Sequence, residues 1–300
     1  ATQGEWLWPI IGMIVFASVF AFPFLILALF PKWINSFYGK SGPWMIKLKF
    51  VLGLVELMAV FKFISNADLI MGWGFFDRTI VLSLWTLLLT GMAVTMFGWL
   101  PIKSMKSKSK RPLPFLVGLS FLLVAGYLST GVFGRQLDGW TESYLPIDLN
   151  KINGLDQNYI KIGSETAVTE DDLDWSTDLD KALEIAKLEQ KPIFVDFTGY
   201  TCINCRWMEI NVFIQPGIKE RLKNEFVLLR LFTDGGDNAE QNQNLQIDRF
   251  KTIALPLYIF LSPEDKVLVK TAGISSQDEF SKLLDQALKR YRLSVSKQAS

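Results

Sequence analysis

Cys202 and Cys205 are the only two cysteines in a chain of 300 residues, and they stand three positions apart in the stretch VDFTGYTCINCRWMEINVF. A pair with this spacing can form a redox dithiol, supply half of a metal site, or be two residues of a buried core. Two thiolates do not complete a four-ligand structural zinc site, and the chain has no histidine to add. The sequence therefore favours redox chemistry and predicts no metal site.

A helix is predicted to begin at the cysteines. Residues 192–197, PIFVDF, have the pattern of a short buried strand, and the residues from Cys202 onward have that of a helix. A thiolate at a helix N-terminus is stabilised by unpaired backbone N–H groups and by the helix dipole. Cys202 is therefore predicted to be the exposed attacking thiol, and Cys205 to resolve a mixed disulfide by intramolecular attack.

Two acidic residues flank the pair: Asp196 stands six positions before Cys202, and Glu209 four positions after Cys205. A carboxylate buried beneath the pair would oppose thiolate formation, and it could accept or deliver the proton that exchange requires. Glu209 shares a helix face with Cys205 and would add a similar field. Each has a structural alternative, because Asp196 could cap a strand end and Glu209 could be solvated. A tuning role is the favoured prediction for both.

The elements that position these residues alternate between helix and strand. One early helix is followed by the order β-α-β-α-β-β-α, which predicts an α/β sandwich. Trp207, Met208 and Val212 are candidate core residues of the helix after the cysteines. The other predicted elements are helix 178–190, strand 192–197, strand 226–232, helix 238–251, strands 257–261 and 266–270, and helix 276–291.

Four apolar runs precede this segment, each with about the 20 residues that a helix needs to cross a hydrocarbon core of about 30 Å. Four buried helices of a soluble bundle are the alternative, but most of the runs lack the polar stripes that such helices carry. Residues 1–134 are therefore predicted to form a membrane α-helical bundle of four transmembrane helices. The predicted spans are 7–30, 45–64, 79–100 and 114–133.

Basic residues predict the orientation of these spans. Lysine and arginine cluster in the loops after the first and third spans, whereas Arg78 is the main basic residue of the loop between the second and third. Since short loops rich in these residues stay in the cytoplasm, the N-terminus and everything after Arg135 are predicted on the exported side. An exported linker at 135–174, with a short strand at 159–162, then leads to the soluble domain at 175–295.

Glu56 lies near the middle of the second predicted span. A carboxylate at that depth costs roughly a few kcal/mol unless it is paired, protonated or hydrated. One interpretation is that Glu56 faces a protein neighbour in protonated form; the other is that it lines a polar path or a mobile interface. Lys49, seven residues earlier on nearly the same helix face, is its expected charged companion.

Overall charge is close to balance, with 31 basic and 30 acidic residues, and half of the chain is apolar. A nucleic-acid-binding protein has a basic excess, and a disordered chain has few apolar residues. The composition therefore excludes both classes, and no nucleic-acid partner is expected.

The order of elements in the soluble domain resembles the thioredoxin topology, in which a buried acid stands six residues before the first cysteine, as Asp196 does. That resemblance implies a cis-proline facing the dithiol, and Pro256 in the stretch IALPLY takes its position. The backbone of Leu255 would then pair with an extended substrate, and Tyr200 and Thr201 are further candidates for substrate contact.

The combination of four spans with this domain resembles the DsbD family of thiol:disulfide interchange proteins, which have a cytochrome c biogenesis transmembrane region. The stretch DFTGYTCINCRWME is similar to the C-terminal domain of that family. The stretches KFVLGLVELMAVFKFISNAD and ALFPKW are similar to the later half of its membrane domain. The resemblance covers nearly the whole chain apart from the linker.

The resemblance implies a protein-disulfide reductase of the bacterial inner membrane that receives electrons from cytoplasmic thioredoxin. Its exported domain would reduce periplasmic thiol-disulfide proteins that serve disulfide isomerisation and cytochrome c maturation. No cofactor is expected beyond the Cys202–Cys205 disulfide.

The chain also departs from the family pattern. The two membrane cysteines and the N-terminal exported domain of the family do not occur in the 300 residues. We therefore expect a C-terminal portion of a longer protein, a separate subunit that carries the relay cysteines, or a protein that moves no electrons across the bilayer. Thr201 stands where thioredoxins have tryptophan, and Ile203 and Asn204 replace their Gly-Pro, so the redox potential cannot be carried over.

Two other functions stay open from the residues alone. Soft thiolates suit Cu(I), so the domain could be a membrane-tethered copper-binding and delivery module. The pair could also be a static disulfide in an oxidising compartment. The thioredoxin-like Asp196 and the lack of histidine disfavour the copper alternative, and the close spacing at a helix start disfavours the static one.

Overall fold

The structure is a computed structural model that describes residues 7–29, 43–99, 112–146 and 173–298. It divides into two compact units: residues 1–62 with 82–135, and residues 63–81 with 136–300. The predicted strand at 159–162 and most of the predicted linker lie outside the described residues.

Each of the four apolar runs contains a helix. The second helix continues well past its predicted end at residue 64, and the other ends differ from the prediction by a few residues. The four helices are α1 (Leu7–Leu29), α2 (Pro43–Met71), α3 (Arg78–Phe97) and α4 (Pro112–Val132).

By length and composition, two helices of the described residues could cross a membrane: Arg78–Phe97 and Leu113–Val132. Ile10–Phe22 is a shorter apolar stretch within α1. The four helices are thus found where the apolar runs predict them, while a membrane crossing by all four stays a prediction.

Contacts within the first unit join α2 to α3 and α3 to α4. The Trp85 indole Nε1 donates to the Met58 carbonyl at 3.0 Å, and the Lys47 ammonium donates to the Met96 carbonyl at 3.3 Å. Between α3 and α4, an added Cβ at Gly118 would lie 2.8 Å from the Phe97 ring. The small residue at that position therefore allows α3 and α4 to approach closely.

The second unit contains a helix that the linker prediction did not include. Helix α5 (Gly139–Tyr144) begins at Asp138, whose carboxylate accepts a hydrogen bond from the Thr141 N–H. Glu142 on this helix accepts a hydrogen bond at 3.1 Å from the Arg78 Nε atom. The composition of this stretch is typical of a linker, but these contacts order it as part of the second unit.

The α/β part of the second unit is built on a five-stranded sheet with the strand order β1-β3-β2-β4-β5. β3 pairs in parallel with β1 and β2, and β4 pairs antiparallel with β2 and β5. The strands are β1 (Trp175–Ser176), β2 (Ile193–Thr198), β3 (Val227–Phe232), β4 (Leu257–Leu261) and β5 (Val267–Ala272).

Helices cover both faces of this sheet, as the alternation of elements predicts. Phe194 is the centre of the aromatic core on one face, where its ring lies 5.7 Å from that of Phe213 and 5.8 Å from that of Phe280, between centroids. Val195 and Phe197, which point to the opposite face, pack in a second core with Ala182 and Ala186. The helices are α6 (Leu179–Glu189), α7 (Ile203–Met208), α8 (Pro216–Glu225), α9 (Ala239–Phe250) and α10 (Gln277–Gln298).

Sequence patterns missed three short elements of this domain. The two-residue strand β1 is too short to show a period, and a single π-helical turn at Glu209–Phe213 interrupts the helical period after α7. The third, α8, has Pro216 at its start, a position that proline favours because its missing N–H would have no intrahelical partner there.

Candidate active site

The two cysteines are joined by a disulfide at the start of α7. Cys202 is the N-cap residue of this helix, and its sulfur accepts a hydrogen bond at 3.2 Å from the Cys205 N–H. The Cα atoms of the two residues are 5.3 Å apart. Cys202 is half-buried, whereas Cys205 has only 1% of its surface exposed. In this oxidised state Cys202 is thus the sulfur that a partner can reach more easily.

Asp196 and Glu209 are both buried and both contact Arg230. Asp196 lies opposite Arg230 in the register of β2 and β3, and it accepts a hydrogen bond at 3.3 Å from the Arg230 Nε atom. The Arg230 Nη2 atom is 3.8 Å from Glu209 Oε1. Glu209 also forms an ion pair with Arg206, one turn earlier along the chain. Asp196 therefore does more than cap a strand end, and Glu209 is not a solvated surface residue.

A carboxylate after β3 holds the turn that precedes the first cysteine. Asp234 accepts hydrogen bonds from the backbone N–H groups of Tyr200 at 2.8 Å and Thr201 at 3.0 Å. It also accepts one from the Thr201 hydroxyl at 2.7 Å. An added Cβ at Gly199 would lie 2.7 Å from the same carboxylate, so glycine permits this close approach.

Tyr200 lies flat against Phe232, with ring centroids 4.1 Å apart and an interplanar angle of 9°. Burial raises the pKa of its phenol above the ordinary value, and the nearby carboxylates of Asp234 and Asp237 raise that pKa further. Tyr200 is therefore neutral at physiological pH and is fixed beside the residue that precedes Cys202. Whether it contacts a substrate stays a prediction.

The peptide bond between Leu255 and Pro256 is cis, as the thioredoxin resemblance implies. The loop before it is held by Gln246, whose side-chain amide donates to the Ala254 carbonyl at 2.9 Å. Thr252 accepts a hydrogen bond from the Ala254 N–H at 3.1 Å. Leu255 is half-buried and Pro256 is buried. Backbone pairing of Leu255 with a substrate stays a prediction.

Glu56 belongs to the first unit, unlike the other candidate site residues. It is an exposed residue of α2, as is Lys49. No ion pair joins these two side chains in the described part of the chain. The role of Glu56 therefore stays a prediction.

Sequence reasoning identified the two cysteines, Asp196 and Glu209, but it missed Arg230, Arg206 and Asp234. An arginine in the otherwise apolar run VLLRLF was the available signal for Arg230, because a charge inside a buried strand needs a partner.

Among the described residues there is no group of three or more histidine, cysteine or acidic side chains that could hold a metal ion.

The fold and the site together define the class: a thioredoxin-like domain with a dithiol–disulfide centre at a helix N-terminus. A family model described as thioredoxin-like matches residues 174–263. The crystal structure of the oxidised C-terminal domain of DsbD from Neisseria meningitidis is 20% identical with a TM-score of 0.33, and the match covers 38% of this chain and 99% of that domain.

Similarity to curated proteins extends beyond this domain. Thiol:disulfide interchange protein DsbD of Klebsiella pneumoniae is 27% identical over 250 residues, which is 83% of this chain and 35% of that protein. DsbD of Pseudomonas fluorescens is 26% identical over 77% of this chain and 35% of its own length. The chain is thus similar to DsbD proteins over most of its length, and it spans about a third of the length of the curated relatives it matches.

Proposed function

We propose that this chain is part of a membrane-anchored protein-disulfide reductase that works by thiol–disulfide exchange at Cys202 and Cys205. The observation that carries the proposal is the disulfide itself, in which a half-buried N-cap sulfur is bonded to a buried one. A reachable first thiol and a protected second thiol suit a reaction with one attacking and one resolving group. The DsbD relatives, named thiol:disulfide interchange proteins, support the same chemistry.

The reaction transfers two electrons in two substitutions at sulfur. The Cys202 thiolate of the reduced pair attacks a partner disulfide, so that a mixed disulfide forms and the partner releases one thiolate, which takes up a proton. Cys205 then loses its proton and attacks the Cys202 sulfur, which releases the second partner thiol. The partner disulfide is reduced, and the Cys202–Cys205 disulfide is formed.

Asp196 and Glu209 are the proposed tuning acids of this reaction. Both are buried on the side of the sheet that packs against α7 and the π turn, so their field acts in a medium of low polarity. In the proposal they influence thiolate formation at the pair and the movement of the proton that Cys205 must lose.

An extended segment of the partner would bind beside the disulfide. Leu255, before the cis-proline Pro256, would pair its backbone with this segment, and Tyr200 and Thr201 would contact it from the other side of Cys202. Asp234 keeps the backbone of these two residues in place by its hydrogen bonds.

The second part of the proposal concerns the source of the electrons and the proteins that receive them. We propose that an upstream membrane half, in the same full-length chain or in a separate subunit, carries the relay cysteines and receives electrons from cytoplasmic thioredoxin. The four helices would cross the bacterial inner membrane, with the N-terminus and the thioredoxin-like domain in the periplasm. Partners would be periplasmic thiol-disulfide proteins of disulfide isomerisation and cytochrome c maturation.

The activity is tested with the full chain in detergent, reduced chemically and then freed of reductant. The reduced wild type is expected to reduce the disulfides of insulin, used as a probe, in proportion to the amount of enzyme. The same preparation with both thiols alkylated beforehand is the control. Intact insulin disulfides in the presence of two free enzyme thiols would contradict the proposal.

The two alternatives predict different results in the same preparation. Stoichiometric Cu(I) binding by a protein that fails to reduce insulin would favour a copper-delivery module. A disulfide that soluble reductants open only when the protein unfolds would favour a static bridge.

A further inference from the structure

Arg230 is a buried cation in the sheet beside the disulfide helix. It lies on β3 directly opposite Asp196 on β2, and Tyr258 on β4 lies opposite Asp196 on the other side. Only 9% of Arg230 and 1% of Asp196 are exposed. A guanidinium at this depth is costly unless carboxylates compensate its charge.

Arg230 bridges two acids that belong to different elements. Its Nε atom donates to Asp196 at 3.3 Å, and its Nη2 atom lies 3.8 Å from Glu209 on the π turn that follows α7. Glu209 is itself buried, with 3% of its surface exposed, and its other oxygen pairs with Arg206. The charges therefore form one connected group of two carboxylates and two guanidiniums.

An aromatic ring fixes the remaining face of the guanidinium. The Arg230 Cζ atom lies 4.0 Å from the centroid of the Trp175 ring on β1. Arginine can stack on an aromatic ring and bind carboxylates with its edge at the same time, which lysine cannot do. Arg230 is thus held in one orientation by contacts to three separate elements.

The formal charges of this group cancel. Asp196 and Glu209 contribute two negative charges, and Arg206 and Arg230 contribute two positive charges. Other ionisable groups lie on the elements around it: Tyr258 opposite Asp196 on β4, the Cys202–Cys205 pair at the start of α7, and the buried Lys219 on α8, which packs against the π turn. The acids that flank the cysteines therefore present a balanced group rather than an excess of negative charge.

We propose that Arg230 is a positioning residue for disulfide exchange, which holds Asp196 and Glu209 in place and cancels the negative charge that they would otherwise impose on the cysteines. This inference rests on the proposed function, because it assigns Arg230 an effect on the reacting thiols. It follows that the ease of thiolate formation at Cys202 depends on the net charge of the four-residue group. The pH at which Cys202 becomes reactive should then depend on the net charge of these four residues, whether the charge is changed at Arg230 or at Glu209.

The test measures the rate at which iodoacetamide alkylates Cys202 in the reduced full chain, as a function of pH. Arg230→Gln leaves the group with a net charge of minus one, which disfavours the Cys202 thiolate. The midpoint of the alkylation rate against pH is therefore expected to rise by about one unit. Glu209→Gln leaves plus one and should lower the midpoint. The double variant Arg230→Gln with Glu209→Gln restores zero, so its midpoint should return close to that of the wild type.

Arg230→Lys is the conservative control, because it keeps the charge while losing the stacked geometry. We expect its midpoint to stay closer to the wild type than that of Arg230→Gln. Thermal unfolding of each variant checks that the domain is folded. If Arg230→Gln does not fold, Glu209→Gln and Arg230→Lys still test the charge count.

Equal midpoints in all variants would overturn the proposal, as would an Arg230→Gln shift that the second substitution fails to reverse. A purely structural role would change the unfolding temperature without this pattern of midpoints. The outcome is separate from that of the proposed function, because alkylation needs no partner protein. If the wild type fails to reduce insulin while the midpoints of the variants still follow the net charge, the reductase proposal is refuted. The proposed effect of Arg230 on thiol reactivity then still holds.

Discussion

Single residues around the disulfide differ in how far their placement depends on distant parts of the chain. Cys202, Cys205 and Glu209 lie within one short stretch, so a helical period relates them, and Asp196 lies within the preceding strand. Arg230 and Asp234 are more than twenty residues further along, and only the parallel pairing of β2 with β3 brings them to the site. The sequence pattern therefore predicts the cysteines and their two flanking acids, but it does not reveal Arg230 and Asp234.

Tyr200 provides a spectroscopic test of the turn before Cys202. Burial and the carboxylates of Asp234 and Asp237 raise its pKa above 10.0, because each disfavours the charged phenolate. Asp234→Asn removes one of these charges, so the phenol of Tyr200 should titrate at lower pH than in the wild type. The measurement is the tyrosinate absorbance against pH, with the Tyr200→Phe titration subtracted to isolate this residue.

Asp237→Asn is the matched control for this titration. Asp237 contributes less to the pKa shift than Asp234 does, so its replacement should produce a smaller change in the same direction. A Tyr200 titration that is unchanged in Asp234→Asn would contradict the contacts described for this turn.

Elements with a clear period and a normal length were predictable, and elements that break the period were not. Helix 178–190 and strand 257–261 correspond closely to α6 and β4, because each has regular apolar spacing and clear flanking residues. The π turn at Glu209–Phe213 adds a residue to one helical turn, so a constant helical period fails there. Helix α5 has only six residues, and its order depends on tertiary contacts.

The packing of α5 on α7 and the π turn predicts a specific steric effect. An added Cβ at Gly139 would lie 2.0 Å from Asn211 Oδ1, while the Asn211 amide donates to the Trp207 carbonyl at 2.9 Å. Gly139→Ala should therefore displace the Asn211 side chain and cost about 1–3 kcal/mol of unfolding free energy. Chemical denaturation of the full chain in detergent, followed by tryptophan fluorescence, measures the change.

Asn211→Ala removes the side chain that Gly139→Ala would strike, so the two substitutions form a thermodynamic cycle. The double variant should lose less stability than the sum of the single losses. Additive losses would mean that Gly139 and Asn211 are not in contact as described.

At the scale of the whole molecule, the sequence predicted the order of helices and strands along the chain better than the boundaries of the compact units. The apolar runs and the α/β segment are found as four helices and a five-stranded domain. The domain boundary at residue 134 stays a prediction, and in the structure residues 63–81 group with the second compact unit. Apolar length determines where a helix forms, whereas the grouping of residues into compact units depends on contacts that the sequence pattern does not reveal.

The proposed topology predicts which side of a membrane exposes Cys202. In right-side-out vesicles that contain the reduced full chain, a membrane-impermeant maleimide should label Cys202 without permeabilisation. In inverted vesicles the same labelling should require detergent. Labelling of intact inverted vesicles alone would place the domain on the cytoplasmic side and contradict the proposal.

The central claim is that Cys202 attacks and Cys205 resolves, and trapping of the mixed disulfide tests it most directly. Reduced Cys205→Ser is mixed with insulin, and the products are separated without reductant and identified by intact mass and peptide mapping. A long-lived adduct through Cys202 is expected, because no thiol remains to resolve it, whereas Cys202→Ser should form little adduct since its thiol is buried. An adduct that forms only through Cys205, or no adduct with either variant, would contradict the account.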